Sequence, residues 1–119
     1  MKRWWLLFVL GIVAFFSVCS KKEYRIAIVF TCPQGKEVKH GGYYRLHATG
    51  DSVSMYGYTP SEYAVTILED DTLFGCCWKD TVSTDSLFFE LYVNGESQIS
   101  GLLGTHEFSF QYIGMDVGQ

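Results

Sequence analysis

The sequence predicts an all-β domain, a small antiparallel sandwich or barrel, on three observations. Runs rich in β-branched and aromatic residues recur roughly every ten residues, and turn residues separate them. Beyond residue 20 no stretch carries a sustained helical apolar period with caps. The chain has 119 residues, 48% of them hydrophobic and only 18% charged, so one core can form and the signature of disorder is missing.

In chain order, Met1, Lys2 and Arg3 form a cationic start, and Trp4 to Val18 is apolar apart from Gly11 and Ser17. That is a secretory signal layout. The run of about 15 residues is short of the ~20 a membrane-spanning helix needs. It ends at Phe16-Ser17-Val18-Cys19-Ser20, which resembles a lipobox, so Cys19 is the expected lipidation site. Residues 1–18 are then a lipoprotein-type signal peptide, 19–23 a tether and 24–119 the sandwich. Cleavage after Ser20, or an uncleaved anchor flanked by Lys21 and Lys22, are the other readings. All three put the domain outside the cytoplasm, in the bacterial envelope facing the periplasm or the cell surface.

Tyr24 to Thr31 is the first strand, closed by a turn at Cys32-Pro33-Gln34-Gly35. Further strands are predicted to start near Tyr43, Val53, Tyr63, Thr72, Leu87, Glu96 and His106. The expected turns are Gly41-Gly42, Gly50-Asp51, Pro60-Ser61, Glu69 to Asp71, Asp80 to Asp85, Asn94-Gly95 and Leu103-Gly104. Leu87, Phe89, Leu91 and Val93 share one face of their strand, and Phe108, Phe110 and Tyr112 share one face of the last. Asn94-Gly95 is the sharpest local signal, because a two-residue hairpin turn needs positive φ at both positions.

Tyr44 to Gly50, Val53-Ser54-Met55-Tyr56 and Tyr92-Val93-Asn94-Gly95 fall in an order that resembles the MmpS-like family of small envelope lipoproteins and transport accessory proteins, over Tyr44 to Gly114. The resemblance implies an immunoglobulin-like sandwich tethered to a membrane and accessory to an envelope machine. It implies no catalytic residue.

Residues 19–119 hold 7 basic and 13 acidic side chains, a formal charge of -6. This excludes nucleic acid as a partner, since no basic surplus is there to neutralise phosphates. It also leaves membrane attachment to the lipid anchor. Cys32, Cys76 and Cys77 are an odd set in an oxidising compartment. One bridge is expected, from Cys32 to either Cys76 or Cys77, closing a loop of about 45 residues on the order of 4 kcal/mol.

Cys76-Cys77 lacks an activating base or a Cys-x-x-Cys spacing, so no catalytic residue is assigned and the chain is not expected to be an enzyme. His40, His47 and His106 lack metal-ligand spacing and are expected at the surface. Glu69-Asp70-Asp71 lacks a calcium-loop pattern and reads as a solvated hairpin turn. Neither a metal nor a cofactor is expected. Tyr43, Tyr56 and Tyr58, with Arg45 and His47, are expected to share an exposed strand face opposite Leu46, Ala48, Val53 and Met55. Such a face offers large contact area at low entropy cost to an unknown envelope protein or glycan. The alternative function is an inhibitor or immunity protein that neutralises an enzyme through acidic loops.

Overall fold

A computed structural model describes residues 22–115. The expected signal segment, the expected lipidation site Cys19 and most of the expected tether lie outside the described residues. Nine strands form: β1 (Glu23–Thr31), β2 (Lys39–Leu46), β3 (Ser52–Ser54), β4 (Gly57–Tyr58), β5 (Ser61–Leu68), β6 (Thr72–Lys79), β7 (Leu87–Val93), β8 (Glu96–Leu103) and β9 (Phe108–Ile113). Among the described residues there is no helix. Two antiparallel sheets pack face to face, the β-sandwich class that the sequence predicts. Sheet A has the order β5-β1-β7-β8. Sheet B has the order β3-β2-β6-β9, with β4 also paired to β2.

Alternation in the central strands builds the core. Tyr24, Ile26, Ile28 and Phe30 of β1 and Leu87, Phe89, Leu91 and Val93 of β7 all point inward from sheet A. Sheet B answers with Leu73, Cys77 and Phe110. Each such large side chain gains roughly 1.5–3 kcal/mol from leaving water, and that repeated gain fixes the register. Phe89 is the aromatic hub, with ring centroids 5.8 Å from Phe30, 5.0 Å from Phe110 and 5.6 Å from Phe108.

The Asn94-Gly95 turn forms with φ of 52° and 85° and joins β7 to β8. Asn94 does more than turn the chain. Its Oδ1 accepts from the Arg25 amide at 3.0 Å and its own amide donates to the Arg25 carbonyl at 2.8 Å, which ties the hairpin to β1.

Two expected turns are something else. Gly41-Gly42 is not a turn but the middle of β2. The pair permits close approach: a Cβ on Gly41 would meet Trp78 Nε1 at 2.7 Å, and one on Gly42 would meet the Cys76 carbonyl at 2.5 Å. Glu69 to Asp71 is not a hairpin turn, because β5 and β6 belong to different sheets. Asp70 takes φ of 70°, and Asp71 Oδ1 accepts from the amides of Ala48 and Thr72, so that carboxylate closes a crossover. A second crossover, from β4 to β5, runs through the cis Thr59-Pro60 bond. There the buried Thr59 hydroxyl donates to the Lys36 carbonyl and accepts from the Val38 amide.

Candidate binding face

The predicted tyrosine face forms on the outside of sheet B. On β2, Tyr43 and Arg45 point outward, while Tyr44 and Leu46 turn toward the core. Met55 drops fully into the core between β3 and β4, and this inward step throws its neighbours Tyr56 and Tyr58 out. Tyr43 is 44% exposed, and Tyr56 and Tyr58 are each 57% exposed. His47 is exposed just past the end of β2. Val53 and Ala48, expected inside, are exposed as well: β3 is a three-residue edge strand with all its side chains in solvent, and Ala48 lies in the turn after β2.

Two aromatics of this face were not singled out from the sequence. Phe74, Cys76 and Trp78 alternate outward along β6 and stand opposite Arg45, Tyr43 and Gly41 of β2. Trp78 lies over Gly41, where no side chain competes for the space, and its ring meets Tyr56 edge-on at 6.0 Å. The Arg45 guanidinium lies 5.3 Å from the centre of the Phe74 ring, a cation–π contact. The period-two pattern of Phe74-Cys76-Trp78 was the available signal. It is masked in the sequence by Gly75 and Cys77, which look like core breaks and are instead the inward positions.

A groove of about 410 Å³ runs across this face, lined by Tyr43, Arg45, Ser52, Phe74, Cys76 and Gln111 among others. That volume falls within the usual small-ligand range.

The cysteines are not bridged. Cys32, Cys76 and Cys77 are all free thiols, which corrects the expected pairing. Cys32 closes β1 in sheet A and its thiol turns into its own loop, donating to Gln34 Oε1 at 3.2 Å. Cys77 faces the core from sheet B opposite Gly42 and Phe108, and Cys76 faces the groove opposite Tyr43 and Ser109. No register sets two cysteines against each other. Burial pushes the Cys77 thiol up to about 12. Burial, then the negative charge of Glu107, raises Cys76 above the usual thiol range. Both thiols are therefore protonated at neutral pH and weak nucleophiles.

His40 also departs from expectation, being fully buried and not at the surface. It faces inward from β2 and stacks on Phe30 at 4.1 Å with an interplanar angle of 8°. Its Nδ1 donates to the Met55 carbonyl at 3.0 Å, and its Nε2 lies 2.9 Å from the Ser61 hydroxyl. The Ser61 Oγ also lies within hydrogen-bond distance of the Tyr58 carbonyl, so two acceptors share its one proton. The histidine thus pins both ends of the segment that displays Tyr56 and Tyr58. His106 is exposed, and among the described residues no group of three His, Cys, Asp or Glu is placed to hold a metal ion.

The acidic loops are largely engaged within the domain. Asp80 pairs with Lys39 at 3.6 Å and Asp85 with Lys36 at 4.0 Å, while Asp71 caps its crossover. No known protein family, curated protein or solved structure matches the chain.

Proposed function

We propose that this chain is a non-enzymatic lipoprotein of the bacterial envelope, anchored through Cys19, whose sandwich presents the outer face of sheet B to a protein or glycan partner, on its own or as an accessory of a transport or assembly complex. The observation that carries the reading is that Tyr43, Tyr56 and Tyr58 are exposed on one sheet face, with the half-buried Trp78 ring against Tyr56, at positions where a solvated face needs no aromatic. Large aromatics at the centre of a contact patch are the residues on which binding energy concentrates. The cationic start, the apolar run and Cys19 support the anchor, and the resemblance to MmpS-like proteins supports the accessory role. The acidic-face alternative has less support, because Asp71, Asp80 and Asp85 already have partners within the domain.

The anchor is tested by Cys19→Ala. Fatty-acid label should disappear from the protein and the chain should leave the membrane fraction, since the thiol is the only atom on which thioether acylation can occur. Label retained by the variant would contradict the lipoprotein reading.

A further inference from the structure

Among the described residues that line the groove on the outer face of sheet B, Arg45 alone is charged, and Glu107 lies beside the Cys76 end. Among the described residues the Arg45 side chain has no ion pair or hydrogen-bond partner; its contact is the Phe74 ring. A guanidinium without a carboxylate partner keeps its fork of N–H donors available, and that fork takes a planar carboxylate in a bidentate manner. In a domain of net negative charge, an exposed arginine that lines a groove without an acidic partner is the complement of an anionic guest.

The neighbours define the rest of the guest. Ser52, Arg45, Phe74 and Gln111 stand opposite one another across β3, β2, β6 and β9, and Ser54, Tyr43, Cys76 and Ser109 form the next row. Four strands at 4.7–4.9 Å spacing give this double row a span on the order of 14 Å. It mixes hydroxyl and amide groups, which both donate and accept, with the half-exposed ring of Tyr43. Sugar hydroxyls need such two-way partners, and the apolar face of a pyranose needs a ring to lie on. A peptide fits less well. It gains affinity by adding a strand at a free sheet edge, whereas the groove crosses β2 and β6, whose backbones are already paired on both sides.

We propose that this groove binds a carboxylate-bearing oligosaccharide, with Arg45 on the carboxylate, Ser52, Ser109 and Gln111 on the hydroxyls, and Tyr43 against the ring face. The proposal rests on the reading of this face as a recognition surface and names its ligand class. Glu107, which lies close to Cys76, sets the polarity of the site: the ligand's carboxylate belongs at the Arg45 end and its neutral hydroxyls at the Cys76 end.

The full chain in detergent is tested against short oligomers of galacturonate, mannuronate and glucuronate and against the methyl esters of the same oligomers, by calorimetric titration. The expected result is binding of at least one acid and a loss of tenfold or more both on esterification and in Arg45→Gln, with the melting temperature unchanged. Arg45→Lys should recover only part of the affinity, because a point charge cannot make the bidentate contact. Equal binding of acids and esters, or wild-type affinity in Arg45→Gln, would overturn the proposal. So would a failure to bind any acid while cross-linking in cells captures a protein partner that Tyr56→Ser with Tyr58→Ser releases. That last outcome would leave the recognition face intact, whereas failure of both arms would remove the face as well.

Discussion

Replacing Phe89 by Ala should cost about 3–5 kcal/mol, the usual penalty for emptying a fully buried aromatic site. Phe89 has no exposed surface and touches rings from both sheets, Phe30 on one side and Phe108 and Phe110 on the other. The cavity would therefore open between the layers, where neither sheet can collapse without breaking its ladder. A domain of this size has a total stability of roughly 5–15 kcal/mol, so the variant should be partly unfolded at physiological temperature. Urea unfolding gives the number, with Val82→Ala as the control. Val82 is 95% exposed, and its truncation should move stability by no more than about 0.5 kcal/mol. A loss below about 1 kcal/mol for Phe89→Ala would mean that the two sheets do not meet at this ring.

The second large effect is expected at His40. His40→Ala leaves the Met55 carbonyl without its buried donor, at about 1–3 kcal/mol, and removes the bond to Ser61 and the stack on Phe30. A loss of about 3 kcal/mol is expected at pH 7.5. The effect depends on pH in a defined direction. Burial, partly offset by the bond to Met55, lowers the His40 pKa below its ordinary value of 6.5. The folded state then refuses a proton that the unfolded chain accepts. The neutral ring's contribution is complete above pH 6.5 and is lost as pH falls from there through the folded-state value. Tyr63, whose ring meets His40 edge-on, and Lys79, opposite it on β6 with its ammonium on the Ser83 carbonyl, are the titratable neighbours, and neither supplies a negative charge. The stability gap between wild type and His40→Ala should therefore narrow between pH 7.5 and pH 5. A constant gap would contradict the buried neutral imidazole.

The parts of this fold that can be read from the sequence are those set by local chemistry. Alternation in β1 and β7 is strict, and Asn94-Gly95 can hardly do anything but turn, so strands and hairpin emerge where expected. Sheet membership is different, since it depends on which strands cross between layers. Glu69 to Asp71 has the composition of a hairpin turn, and only the pairing of β5 with β1 and of β6 with β2 reveals a crossover. Glycine misleads for a related reason. Gly41 and Gly42 look like a break, but their role is to admit Trp78 and the β6 backbone from a strand distant in sequence. The outward set Tyr43, Arg45, Tyr56 and Tyr58 follows from parity along β2 and the inward step at Met55. Trp78 and Phe74 join it only through the β2–β6 register. The cysteine pairing failed because an odd count in an expected oxidising compartment suggests a number of bonds but no geometry, and here every thiol faces a different environment.

The central claim is that the outer face of sheet B is a recognition surface and not merely a well-packed one. Tyr56→Ser combined with Tyr58→Ser tests it most directly, by comparing partner capture after cross-linking in the envelope with the melting temperature of the same protein. Both side chains are more than half exposed, so most of their removal should be felt by a ligand and little by the fold. The account predicts that capture is lost, as expected when contact aromatics worth about 2 kcal/mol or more are truncated, while the melting temperature stays nearly unchanged. Melting that falls in proportion to capture, or capture that survives intact, would contradict it.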